Sequence, residues 1–143
     1  MVKSKIDRRV RVLIVDDNRI YAETLGLLLG ADARIEIVGY AEDGAVGVEQ
    51  ALALRPDVVV MDIRMPRLDG IEATHRIRAK LRSTRVVIVT SSGTIGRRAH
   101  ALTAGAAAFL HKDAPLDELI AVVAGTPTAR STGARLELRQ ASC

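Results

Sequence analysis

One cysteine stands in the chain, Cys143 at the final position, so no internal disulfide and no cysteine metal cluster can form. Tryptophan is absent, and with two tyrosines and one phenylalanine the core must be aliphatic. No apolar run approaches the roughly 18 residues that span a bilayer. Met1-Val2-Lys3-Ser4-Lys5 meets charge where a signal peptide would carry its apolar core. A cytoplasmic location without membrane contact is therefore expected. Glycine-rich phosphate motifs are missing too: Gly39, Gly44 and Gly47 have the wrong spacing for G-x-G-x-x-G, and no G-x-x-x-x-G-K occurs.

What is present is 143 residues, 48% hydrophobic and 27% charged, the profile of one globular domain. The net charge of +4 suggests a nucleic-acid binder until its distribution is read. Residues 1–9 hold Lys3, Lys5, Arg8 and Arg9 against Asp7, and residues 125–143 hold Arg130, Arg135 and Arg139 against Glu137. These ends carry +3 and +2, leaving −1 for the residues between. Basic ends of this kind solubilise more often than they bind phosphate. Arg76, Arg78, Lys80 and Arg82 read as a solvated helix face.

The chain is organised around Val58-Val59-Val60-Met61-Asp62, an apolar run between Pro56 and Pro66 that ends on a carboxylate. Such a run reads as a strand buried on both faces, as in a parallel sheet. Arg11-Val12-Leu13-Ile14-Val15 is a second, ending on Asp16-Asp17. Asn18 and the acids offer cap oxygens to a helix over residues 19–29, with Ile20, Thr24, Leu27 and Leu28 expected on its apolar face and Gly30 ending it. Residues 35–40 alternate as a strand nearer the sheet edge, and residues 44–54 form the next helix.

After Asp62, Pro66-Arg67-Leu68-Asp69-Gly70 turns into a helix with Ile71, Thr74, Ile77 and Leu81 inward. Val86-Val87-Ile88-Val89 is the fourth strand, ending on Thr90, Ser91 and Ser92. Residues 96–104 are weakly patterned, with Ile95, Ala99 and Leu102 as repeating apolar positions, and predict a short, loosely held helix. Residues 107–111 are the fifth strand, ending on Lys112, and Leu116, Leu119, Ile120 and Val123 give a helical stripe. Five strands alternating with five helices imply an α/β fold, a parallel sheet covered on both faces. Spacing alone does not set the strand order.

Strand ends therefore gather Asp16, Asp17, Asp62, Thr90 and Lys112 on one rim, where ligands of open α/β sheets bind. Each like-charged pair about 4 Å apart costs on the order of 4 kcal/mol at an effective dielectric near 20. Lys112 cannot offset all of that, whereas a hard divalent cation can. All-oxygen ligation with room for water is the preference of Mg²⁺ rather than Zn²⁺.

Asp16-Asp17, Asp62 within Asp62-Ile63-Arg64-Met65-Pro66-Arg67-Leu68-Asp69-Gly70, then Thr90-Ser91 and Lys112, resemble a two-component response regulator receiver (CheY-like) domain over residues 10–124. The resemblance implies the flavodoxin-like (βα)₅ fold with strand order 2-1-3-4-5. It implies Asp62 as phosphoacceptor, and Asp16, Asp17, Asp62 and the main-chain carbonyl of Arg64 as the protein's share of a Mg²⁺ site that Mn²⁺ could also fill. Thr90 and Lys112 would bind the phosphoryl oxygens, Phe109 would be the switch aromatic, and Ser91 and Gly70 would support the site. His75, His100 and His111 match no functional position.

The implied function is a phosphorylation-dependent switch, not an enzyme beyond its own phosphoryl transfer and dephosphorylation. Its face of fourth helix, fifth strand and fifth helix would control transcription or a partner. A sensor histidine kinase is the expected partner, with homodimerisation on phosphorylation. The ending Lys112-Asp113-Ala114 resembles the NarL/LuxR-type subfamily with helix-turn-helix output. Residues 1–9 are expected to be a basic extension and residues 125–143 a linker or tail, with the output domain absent and DNA reached only through it. Two rivals share the strand-end aspartate. A phosphatase with an aspartate nucleophile needs a second acid two positions on, where Arg64 stands. A phosphorylation-independent module with the same fold would not need the full constellation.

Overall fold

The computed structural model describes residues 8–91 and 95–125. Its elements are β1 (Val10–Val15), α1 (Arg19–Gly30), β2 (Ile35–Ala41), α2 (Gly44–Leu54), β3 (Val58–Met61), α3 (Gly70–Lys80), β4 (Arg85–Thr90), a 3₁₀ turn (Ile95–Arg97), α4 (Arg98–Thr103), β5 (Ala108–His111) and α5 (Leu116–Ala124). The five strands pair in parallel in the order β2-β1-β3-β4-β5. This is the flavodoxin-like order that the resemblance implied. The basic positions at 1–7 and the stretch from 126 to 143 lie outside the described residues, as does the Ile95 side chain.

Aliphatic side chains alternate between two cores, as a sheet covered on both faces requires. Leu13, Val15, Val59, Met61, Val86 and Ile88 pack with Ala51, Ala73, Ile77 and Ala101 on the side of α2, α3 and α4. Val12, Ile14, Val58, Val60, Val87 and Val89 pack with Leu25, Leu29, Leu119 and Val123 on the side of α1 and α5. Burying each such side chain is worth roughly 1.5–3 kcal/mol.

Helix α1 corrects the sequence reading of its apolar face. Ala22, Leu25, Gly26 and Leu29 face the sheet, whereas Ile20 is 79% exposed, Leu27 77% and Leu28 45%. The helix is apolar on nearly two sides, so periodicity alone could not say which stripe meets the sheet. Gly26 lies on the inward stripe, where it leaves room for the Tyr40 ring against the helix. The helix ends one residue later than expected, with Gly30 its last residue and Ala31 the cap, whose N–H bonds the carbonyls of Leu27 and Leu29.

Two smaller readings change as well. Arg78 is not merely part of a solvated face, since its guanidinium donates to the carbonyls of Leu81, Arg82 and Thr84 and ties the end of α3 to β4. In α4 the buried residue is Ala101, whereas Leu102 is 39% exposed and Ala99 is exposed as well. That helix is only six residues long.

Replacing the buried Leu25 by alanine should cost about 2–5 kcal/mol through the cavity it leaves. The same change at Leu27 should stay within about 0.5 kcal/mol. Urea unfolding midpoints of the two variants check the assignment, and equal losses would contradict it.

Candidate functional site

Register builds the site. Val15 pairs with Met61 across β1 and β3, so the next residues, Asp16 and Asp62, emerge side by side. Their backbones stay in the ladder, with Asp16 N–H donating to Ala41 O at 3.0 Å and Asp62 N–H to Val15 O at 3.0 Å. On the far side Thr90 pairs with His111, and Lys112 N–H donates to Thr90 O at 2.8 Å. Four strand ends thus converge.

The side chains meet as this placement demands. Asp16, Asp17 and Asp62 offer carboxylate oxygens all within 4.8 Å of one another, the one such acidic cluster among the described residues. Asp16 and Asp62 are buried and Asp17 faces solvent. Lys112 Nζ lies 2.9 Å from Asp16 Oδ2 and 3.5 Å from Asp62 Oδ2. Asp16 Oδ1 also accepts from the Asn18 N–H at 2.8 Å, and Asp62 Oδ1 from the Ile63 N–H at 2.8 Å. An all-oxygen donor set beside open solvent fits a hard divalent cation.

Thr90 is 1% exposed, and its Oγ1 has no hydrogen-bond partner. The hydroxyl stands near enough to Asp62 to favour its charge without making a bond of normal geometry. A buried orphan hydroxyl is costly. An oxygen-rich group carried on Asp62 would satisfy it. Ser91, its neighbour, is exposed. Phe109 is half-buried against the core on the α3 and α4 side, paired with Ile88.

Burial is the main force that pushes the Asp62 carboxyl above its ordinary pKa, the charge of Asp16 adds to it, and Lys112 and the Ile63 N–H oppose. Burial would lower the Lys112 pKa, but its bond to Asp16 and the charges of Asp62 and Asp16 raise it instead. The ammonium therefore stays charged.

The loop after Asp62 is held by close backbone approaches. A Cβ on Gly70 would meet Asp62 O at 1.9 Å, and one on Gly44 would meet Leu68 O at 2.0 Å. Gly70 N–H donates to Ile63 O at 2.8 Å. Arg67 adopts φ 70° and reaches Asp43 at 3.6 Å. Arg64 has an exposed side chain. Asp69 caps α3 through the N–H groups of Ile71 and Glu72 and accepts from Arg97 at 3.1 Å.

Sequence reasoning missed three of these residues. Arg97 had no local signal, since it acts on a loop distant in the chain, and Asp43 had only that of a helix cap, accepting from the Val46 N–H at 2.8 Å. Tyr21 did have one. Helical side chains lean toward the N-terminus, so a first-turn aromatic just after Asp16-Asp17 leans over the strand ends. Its ring centroid lies 4.2 Å from Lys112 Nζ. The three histidines stay outside the cluster: His75 and His100 are exposed, and His111 faces Asp113 at 3.8 Å.

Comparison with known proteins follows the same lines. A family model described as the response regulator receiver domain matches residues 12–124. Protein-glutamate methylesterase/protein-glutamine glutaminase 1 of Geobacter sulfurreducens is 46% identical over 108 residues, which are 74% of this chain and 30% of that protein. The transcriptional regulatory protein LiaR of Bacillus subtilis is 36% identical over 110 residues, 77% of this chain and 52% of that one. The chain thus spans about a third to a half of these curated relatives. Among solved structures, the signal receiver domain of the putative response regulator NarL from Mycobacterium tuberculosis superposes with a TM-score of 0.78 at 33% identity, covering 84% of this chain and 99% of that one.

Folding raises the Asp62 pKa, so this carboxyl favours the fold while protonated, and the contribution is lost as pH rises through the raised folded value. Asp62→Asn should therefore stabilise the cation-free protein at pH 7.5. The gain should be about 1 kcal/mol, well below a full like-charge contact because Lys112 and solvent screen the pair. It should fade toward acid pH as the wild-type carboxyl takes up its proton. Urea unfolding in chelator at both pH values measures this, and a variant less stable at pH 7.5 would contradict it.

Proposed function

The chain belongs to the response regulator receiver domain family, and from that premise we propose that Asp62 accepts a phosphoryl group from a phosphohistidine of a sensor kinase. The observation that carries this reading is the cluster of Asp16, Asp17 and Asp62 spanned by Lys112, beside a buried Thr90 hydroxyl with no partner. A carboxylate oxygen of Asp62 forms the new P–O bond, and the electron pair of the breaking P–N bond returns to the imidazole. Such transfer needs alignment and charge neutralisation more than acid-base chemistry.

Asp16, Asp17 and Asp62, with the Arg64 carbonyl, would hold Mg²⁺, or Mn²⁺ in its place. When bound, the ion neutralises charge between the carboxylates and the phosphoryl oxygens. Lys112 takes one phosphoryl oxygen, leaving its bond to Asp62, and Thr90 Oγ1 donates to another. Ser91 and Gly70 support the loops on either side. Thr90 and Phe109 lie on the same side of the sheet, and movement of the hydroxyl toward the phosphoryl group makes room for the ring. The face of α4, β5 and α5 changes as a result.

That face serves an output outside the receiver fold. Relatives of two kinds, a methylesterase and a transcriptional regulator, match this chain over only 30% and 52% of their own length. For this chain the reading is a cytoplasmic phosphoprotein that passes a signal on, with no catalysis besides its own phosphorylation and dephosphorylation. Pairing of two phosphorylated copies, and DNA reached only through a separate output domain, complete the proposal.

Incubation with a small phosphodonor and Mg²⁺ should place phosphate on Asp62 alone, and mass spectrometry after borohydride trapping reads the position. Label on Thr90, Ser91 or a histidine, or normal labelling of Asp62→Asn, would sink the reading.

Asp17→Asn should weaken Mg²⁺ binding by about tenfold or more, since it removes a ligand charge from the one solvent-facing acid of the cluster. Calorimetric titration checks it. Unchanged affinity would remove Asp17 from the ligand set.

A further inference from the structure

Lys112 reaches the acids from the end of β5, three strand positions across the sheet from β1, the strand that Asp16 follows. A lysine stem is flexible, and its rotamer entropy resists being fixed in one place. Two carboxylates hold the ammonium from one side, Asp16 at 2.9 Å and Asp62 at 3.5 Å. Tyr21 holds it from another, its ring centroid 4.2 Å from Nζ.

Tyr21 is itself well anchored. It stands in the first turn of α1, where its N–H donates to Asn18 Oδ1 at 3.0 Å, and it packs against the core shared by α1 and α5. We propose that Tyr21 is a positioning residue for phosphoryl transfer at Asp62, its ring face fixing the Lys112 ammonium by cation–π attraction at the spot where phosphoryl oxygens arrive. This rests on the reading of Asp62 as the phosphoacceptor.

The arrangement solves a problem that the carboxylates create. An ammonium bound only by Asp16 and Asp62 gains most by settling between them, and it must leave Asp62 when that oxygen becomes phosphorylated. The ring supplies attraction that does not change with the state of Asp62. It also shields one side of the ammonium from water, where cation–π attraction is strongest. A neutral ring adds no charge to repel the incoming phosphoryl group. Tyr21 meets that condition, because burial and the charges of Asp16 and Asp62 hold its phenol above the ordinary pKa against the pull of Lys112.

The test compares Tyr21→Phe, which keeps the ring, with Tyr21→Leu, which keeps an apolar side chain without one. At saturating Mg²⁺, Tyr21→Leu should slow phosphorylation of Asp62 by acetyl phosphate about threefold to tenfold, the range expected for one cation–π contact. Tyr21→Phe should stay within about twofold of wild type. The ε-methylene protons of Lys112 should show an upfield ring-current shift in wild type and Tyr21→Phe that disappears in Tyr21→Leu. Urea midpoints identify any variant that merely unfolds. A wild-type rate in Tyr21→Leu, equal losses in the two variants, or no ring-current shift in wild type would each overturn the proposal. A wild-type protein that takes no phosphate at all would overturn the reading of Asp62 instead, while the ring-current shift would still judge the contact.

Discussion

Two buried carboxylates set side by side repel each other, and much of this structure is arranged around that repulsion. Asp16 and Asp62 cannot move apart, because both are locked into neighbouring strands by backbone hydrogen bonds at 3.0 Å. Their proximity and burial raise the Asp62 pKa and draw Lys112 across from β5. The same excess of negative charge makes the rim a place that could hold a cation.

Around this centre the connecting loops are fixed with little freedom. The segment after Asp62 is pressed against Gly70 on one side and Gly44 on the other, so neither glycine can carry a side chain without displacing backbone. Asp69 closes the loop twice, as the cap of α3 and as the partner of Arg97. Burial would raise the Asp69 pKa, but the Glu72 N–H and the Arg97 guanidinium outweigh it and lower it. A physical connection therefore runs from the loop after Asp62 to the start of α4. That helix is short and buries only Ala101, which makes it the least firmly held of the five.

The receiver fold leaves the output open. The curated relatives include a methylesterase and a transcriptional regulator, and the shared part of each is the domain seen here. Among the described residues no helix is long and apolar enough to cross a membrane. In this chain the acidic cluster lies at the strand ends, apart from the helices that cover both faces of the sheet.

The sequence alone determined the strands and most of the site. Val58 to Met61 is buried on both faces and has no period to confuse, and carboxylates following two such runs can only lie at the sheet's rim. Asp16, Asp17, Asp62, Thr90 and Lys112 were legible for that reason. Tertiary structure decided what depends on contact between distant segments. Which stripe of α1 faces the sheet was settled by the packing of Ala22, Leu25 and Leu29 into the core, because a helix apolar on two sides has no unique inward face. The register shift between β1 and β2 after Val12, the bond from Asp69 to Arg97 and the ring beneath Lys112 depend likewise on distances that spacing along a chain does not encode. Local pattern measures what a segment prefers to bury. Only packing decides which neighbour it is buried against.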